Sequence, residues 1–287
     1  MSENLSNIYI EDFIAASLNS IELIPLAYYK PGGLALTIYI FSSEKGCFSC
    51  PWREYYGPRK VFDLRKISLD SIVKRYNELR ADLLFFSGGD FLSKVGSEFI
   101  LEILRRNNVS VGVKHNLLRK ISDEKSLENI NVLLIEINAL INLRKISDFI
   151  DNINKKGVYK EFIVDDISEN PRDRTFFTLW IKDLCRIGNY AIAFYMADKS
   201  EYFIESYSSL LQKFCENKYY IIASHQKYIP ETINCVYCGA LIGRRIDGVV
   251  IKKLINDDKC PKCGSKVFFG GETKRFAGRT VFTRVVI

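Results

Sequence analysis

Two groups of cysteines in this 287-residue chain carry the spacing of metal ligands. In the C-terminal part, Cys235-x2-Cys238 is followed, after 21 residues, by Cys260-x2-Cys263. A glycine follows each pair (Gly239, Gly264) and Pro261 lies inside the second, which suits the tight turns that aim two thiolates at one ion. Four thiolates fill a tetrahedral zinc site and leave no position open, so a structural zinc is expected here. Upstream, Ser43 precedes Cys47 by four residues and Cys50 follows, giving Ser-x3-Cys-x2-Cys. Two thiolates alone complete neither a structural zinc site nor an iron–sulfur cluster, and a serine hydroxyl is harder than the soft thiolate such clusters select. A third group is Gly88-Gly89-Asp90, where glycines permit close backbone approach and a carboxylate suits an ammonium group. Taken alone, that tripeptide is an ordinary strand-to-helix turn.

The elements that must position these groups alternate along the chain. Leu34–Phe41 is a near-continuous apolar run that reads as a buried strand delivering the Ser43–Cys50 loop. Residues 81–87, 109–115, 131–137, 161–164, 190–196 and 219–223 read as further strands. Between them, helices are expected over 68–80 (Ser68 as N-cap), 97–106, 143–154, 172–186 and 201–215. A short helix over Glu11–Asn19 is expected at the amino end, and GRRIDGVVIKKL between the cysteine pairs reads as a hairpin. Apolar strands separated by helices predict an α/β fold with a parallel sheet, as a partial (β/α) barrel or a doubly wound open sheet.

The approach to Cys47 resembles a known family. Pro25-Leu26, Tyr28-Tyr29, Pro31-Gly32 and Leu36-Thr37-Ile38 resemble the lead-in of radical S-adenosylmethionine proteins. The resemblance is to the pyruvate formate-lyase activating-enzyme-like member of the AmmeMemoRadiSam system. It covers about residues 22–272 and implies a partial barrel at 25–230, preceded by residues 1–24 and followed by a zinc-ribbon-like module at 231–287. In that family Cys-x3-Cys-x2-Cys holds a [4Fe–4S] cluster whose open iron meets S-adenosylmethionine. Carried over, Ser43, Cys47 and Cys50 occupy the cluster positions, and Gly88, Gly89 and Asp90 stand at the Gly-Gly-Glu-Pro motif that holds the cofactor's amino group. A second register matches Gly46-Cys47 and Cys50-Pro51-Trp52 to the family motif and puts Arg53 at the third ligand. In either register one thiolate is missing. Phe91 replaces the motif proline, Lys114-His115-Asn116 stands at the family's Thr-Asn-Gly, and Glu136-Ile137-Asn138 at its Asp-Leu-Lys. Glu169–Asp173 resembles the family's Gly-x-Asn-Asp turn only loosely.

Composition bounds the rest. Hydrophobic residues make up 47% and charged residues 26%, ordinary for a globular chain, and no apolar run is long enough for a membrane span. The segment MSENLSNIYIEDF is not a signal peptide, a cytoplasmic location is expected, and eight cysteines there favour metal sites over disulfides. Cys185 and Cys215 fall on helix faces and read as small core residues; His115 and His225 read as hydrogen-bonded structural histidines. The net charge of +7 resides after residue 234, where 11 Lys and Arg face 4 Asp and Glu. Three functions fit: a pseudoenzyme with a binding or assembly role, a radical S-adenosylmethionine enzyme acting on a protein or small molecule, and a nucleic-acid-binding protein using the basic module.

Overall fold

The computed structural model describes residues 5–287 except 22–23, 25, 27, 42–64, 118, 139–141, 155, 166–170, 188–189, 197–198, 217–218, 223–226, 229–230, 236, 247–248, 256–258 and 268–281. In chain order the elements are β1 (Tyr9–Ser20), β2 (Leu34–Ile40), β3 (Arg65–Ser68), α1 (Leu69–Glu78) and β4 (Leu83–Gly88). Then come α2 (Ser97–Arg106), β5 (Val111–Asn116), β6 (Val132–Asn138), α3 (Leu143–Asn154) and β7 (Tyr159–Asp165). These lead to α4 (Pro171–Leu184), β8 (Ile192–Tyr195), α5 (Glu201–Cys215) and β9 (Tyr219–Ile222). The chain finishes with β10 (Lys227–Tyr228), β11 (Thr232–Asn234), β12 (Leu241–Ile246), β13 (Val249–Lys253) and β14 (Phe282–Val285).

The fold is α/β with a mostly parallel central sheet. From β2 through β4 to β9 every neighbouring pair is parallel and the strands follow one another in sequence order. A doubly wound sheet needs a point where the order reverses, with helices on both faces. Here the order never reverses between β2 and β9, an arrangement compatible with an incomplete barrel. Right-handed crossovers then put every helix on the same face. Along β6, Leu133, Ile135 and Ile137 pack into the cluster shared with helices, while Val132 and Leu134 join a second cluster on the opposite face. Ser68 Oγ accepts the Ser71 amide at 3.2 Å, so the expected cap starts α1.

The expected helix at Glu11–Asn19 is corrected: these residues lie within β1. The strand pairs antiparallel with β2, β3 and β14. A bulge where Asp12 takes φ 56° shifts the register and interrupts the two-residue alternation, and Ala15-Ala16 favours helix locally. The partner β14 comes from the far end of the chain, so nothing local announces the pairing.

Among the described residues, no helix packs on the second face. It is covered by the lead-in segment, through Ile21, Ile24, Leu26, Tyr28 and Tyr29, and by Ile233, Ile242, Ile255 and Val267 of the four-cysteine module. One buried carboxylate fixes the lead-in: Glu161 of β7, fully buried, accepts the amides of Tyr28 at 3.0 Å and Tyr29 at 2.8 Å. Glu161→Ala would strand two buried donors, and the expected loss is about 2–4 kcal/mol of unfolding free energy. Glu161→Gln keeps an acceptor oxygen and should lose less than half as much. Urea midpoints of the two variants check this.

Candidate functional site

The four C-terminal cysteines converge. Cys235 and Cys263 bring their sulfurs to 3.7 Å, Cys238 and Cys260 to 3.5 Å, and all four lie within 4.8 Å of one another. A tetrahedron of bonds near 2.3 Å has edges of about 3.8 Å, so the group could hold one metal ion and its size fits zinc. The same turn builds both halves. The Gly239 amide bonds the Cys235 carbonyl at 2.8 Å and the Gly264 amide bonds the Cys260 carbonyl at 2.9 Å. Both glycines take a left-handed φ, 70° and 69°, which a side chain would penalise.

The environments of the four thiols differ. Cys235 and Cys260 are buried in the cluster that covers the sheet, while Cys263 is exposed. Burial pushes the Cys235 thiol up to about 12, whereas the Ser265 hydroxyl and amide hold Cys263 down to about 6. A bound cation supplies the charge that the buried thiolate lacks, so proton release accompanies metal binding. The hairpin expected between the pairs is β12–β13.

The carboxyl ends of the parallel strands also meet. Ile40 pairs with Gly88, Asn116 with Glu136 and Asn138 with Asp165. At Gly88, φ is 95°, and a Cβ would stand 2.2 Å from the Ile40 carbonyl oxygen, so only glycine fits. The Gly89 amide donates to that oxygen at 2.8 Å, and Asp90 turns into the interior with φ 49°. Its carboxylate is 4% exposed and meets His115 Nδ1 at 2.7 Å, with the Asn116 amide at 3.4 Å and Arg119 Nε at 3.7 Å. The His115 ring stacks on Phe149 of α3, so this pair faces the helical layer. On the neighbouring strands Lys114 and Glu136 form a buried ion pair, to which Asn116 Nδ2 donates at 3.4 Å.

Gly88, Gly89 and Asp90 therefore sit at a strand end as expected, and His115 is a hydrogen-bonded structural residue. Ser43, Cys47, Cys50 and His225 lie outside the described residues. Cys185 and Cys215 are buried as expected, but they are joined in a disulfide with Cα atoms 5.1 Å apart, where free thiols were expected. The ends of α4 and α5 bring them together across 30 residues. Sequence reasoning missed Glu161; an acid inside the apolar strand Glu161-Phe162-Ile163-Val164 was the available signal. It also missed the buried network of Ser17, Asn19, Thr37 and Tyr39, where Asn19 Nδ2 donates to Thr37 Oγ1 at 2.8 Å. Among the described residues, no helix is long and apolar enough to cross a membrane. No family model and no curated protein matches the chain.

Purified protein should carry one zinc per chain, released by stoichiometric modification of four thiols and lost as the pH falls and protons compete for the sulfurs. Cys260→Ser should abolish stoichiometric retention in elemental analysis. Four freely reactive thiols without zinc release would contradict the site.

Proposed function

We propose that the chain is a partial-barrel protein of the radical S-adenosylmethionine type, with a zinc-ribbon-like module, whose cluster chemistry is crippled. It serves as a binding or assembly module. The observation that carries this reading is the engagement of Asp90. At the position where the family directs a carboxylate to the cofactor's ammonium, this carboxylate is buried against His115 and faces the helical layer. The Lys114–Glu136 pair likewise satisfies itself at the next strand ends. With Ser43 at a ligand position, the donor set does not fit a three-thiolate cluster. Zinc at Cys235, Cys238, Cys260 and Cys263 is structural in this reading.

A second reading, nucleic-acid binding, draws on the module's charge. Arg244 faces Lys252 across β12–β13, and Lys259 faces Lys266 in an isolated bridge. Like charges placed opposite destabilise a sheet, and phosphates would relieve them.

The test of the first reading is anaerobic reconstitution with iron and sulfide, followed by assay for 5′-deoxyadenosine under reducing conditions. Wild type should yield none above the protein-free level, and Ser43→Cys should gain the absorbance of a cluster. Wild type cleaving S-adenosylmethionine as fast as Ser43→Cys would overturn the reading.

A further inference from the structure

At the amino ends of the parallel strands, opposite Asp90, lies a cavity of about 550 Å³ between the sheet and the four-cysteine module. Lys30, Arg105 and Lys266 line it, one from the lead-in, one from α2 and one from the module. We propose that this cavity binds a small molecule bearing a phosphate or pyrophosphate group.

The donor–acceptor balance of the wall argues for an anion. Its carboxylate, Glu128, accepts Lys156 Nζ at 2.5 Å, so that charge is already compensated. Two of the three side-chain amides of the wall have their oxygens in use. Asn131 Oδ1 accepts the Val111 amide at 2.8 Å, and Asn129 Oδ1 accepts Arg105 at 3.2 Å. Both amide groups therefore have their NH₂ ends left to offer as donors. Arg105 also donates to the Glu128 carbonyl at 3.0 Å, which fixes the guanidinium at the rim. Lys30 takes a left-handed φ of 45°, unusual for a side-chain-bearing residue. Its ammonium is held by the Asp82 carbonyl at 2.7 Å and Ser110 Oγ at 3.1 Å, positioned before any ligand arrives. Lys266 stands opposite Lys259, and an anion in the cavity would offset that repulsion. The volume suits a small organic phosphate. The Tyr29 ring is 2% exposed and packs on Tyr159, so it is not a platform for a base.

The test is calorimetric titration of the full-length, zinc-loaded protein with sodium pyrophosphate and with ATP. One saturable site per chain is expected, with each probe competing against the other. Lys266→Glu and Arg105→Glu should each weaken binding about tenfold or more, as loss of a charge-assisted contact does. Lys252→Glu, on β13 of the module and outside the cavity wall, should stay within about twofold. Both variant positions are exposed, and their melting temperatures report on folding. Absence of saturable binding by either probe would overturn the proposal, as would equal weakening by all three variants. Binding confined to a short single-stranded oligonucleotide, and lost with Lys252→Glu, would assign the charge to the module's β12–β13 face and also overturn it.

Discussion

A parallel sheet is buried on both faces, and among the described residues only one face receives helices. Sequential strand order forces this: each crossover lands on the same side, so the other side must be covered by something else. The lead-in segment and the four-cysteine module perform that task. Glu161 pins the lead-in by two backbone amides, and Tyr28 packs under the Arg245 guanidinium, 5.8 Å from its ring centre. Two of the four sulfur ligands, on Cys235 and Cys260, belong to the same apolar cluster as Leu83, Val132 and Ile163 of the sheet. A module of this size has a small core of its own, so an ion held by the four thiolates would add to its stability. The four-cysteine group and the sheet face are thus parts of one packing unit.

The two ends of that unit differ in chemistry. At the carboxyl ends, polar side chains engage one another: Asp90 with His115, Lys114 with Glu136. Such closed, buried pairs hold a structure in register but leave little for a ligand. At the amino ends the groups converge on open space, where Asn129 and Asn131 have their amide oxygens in use and their NH₂ ends left as donors.

Local patterns were legible where local physics decides. The helices over 97–106, 143–154 and 201–215 follow apolar spacing, and Ser68 caps α1 as its hydroxyl predicts. The paired cysteines could be read because turn chemistry and ligand count lie within a few residues. What escaped was set by distant partners. Tyr9–Ser20 is a strand because β2 and β14 flank it, and the bulge at Asp12 hides its alternation. The Cys185–Cys215 bond depends on how two helices end beside each other, and Glu161 on a segment more than a hundred residues earlier. The amino-end cavity is assembled from four separate parts of the chain.

The central claim is that the four-cysteine module is a structural cover of the sheet rather than an appendage. Hydrogen exchange with and without zinc tests it most directly. On chelation, amides of β6 and β7 should exchange about tenfold faster or more, together with those of the module, because their covering layer loosens. Faster exchange confined to residues after 230, with β6 and β7 unchanged, would contradict the account.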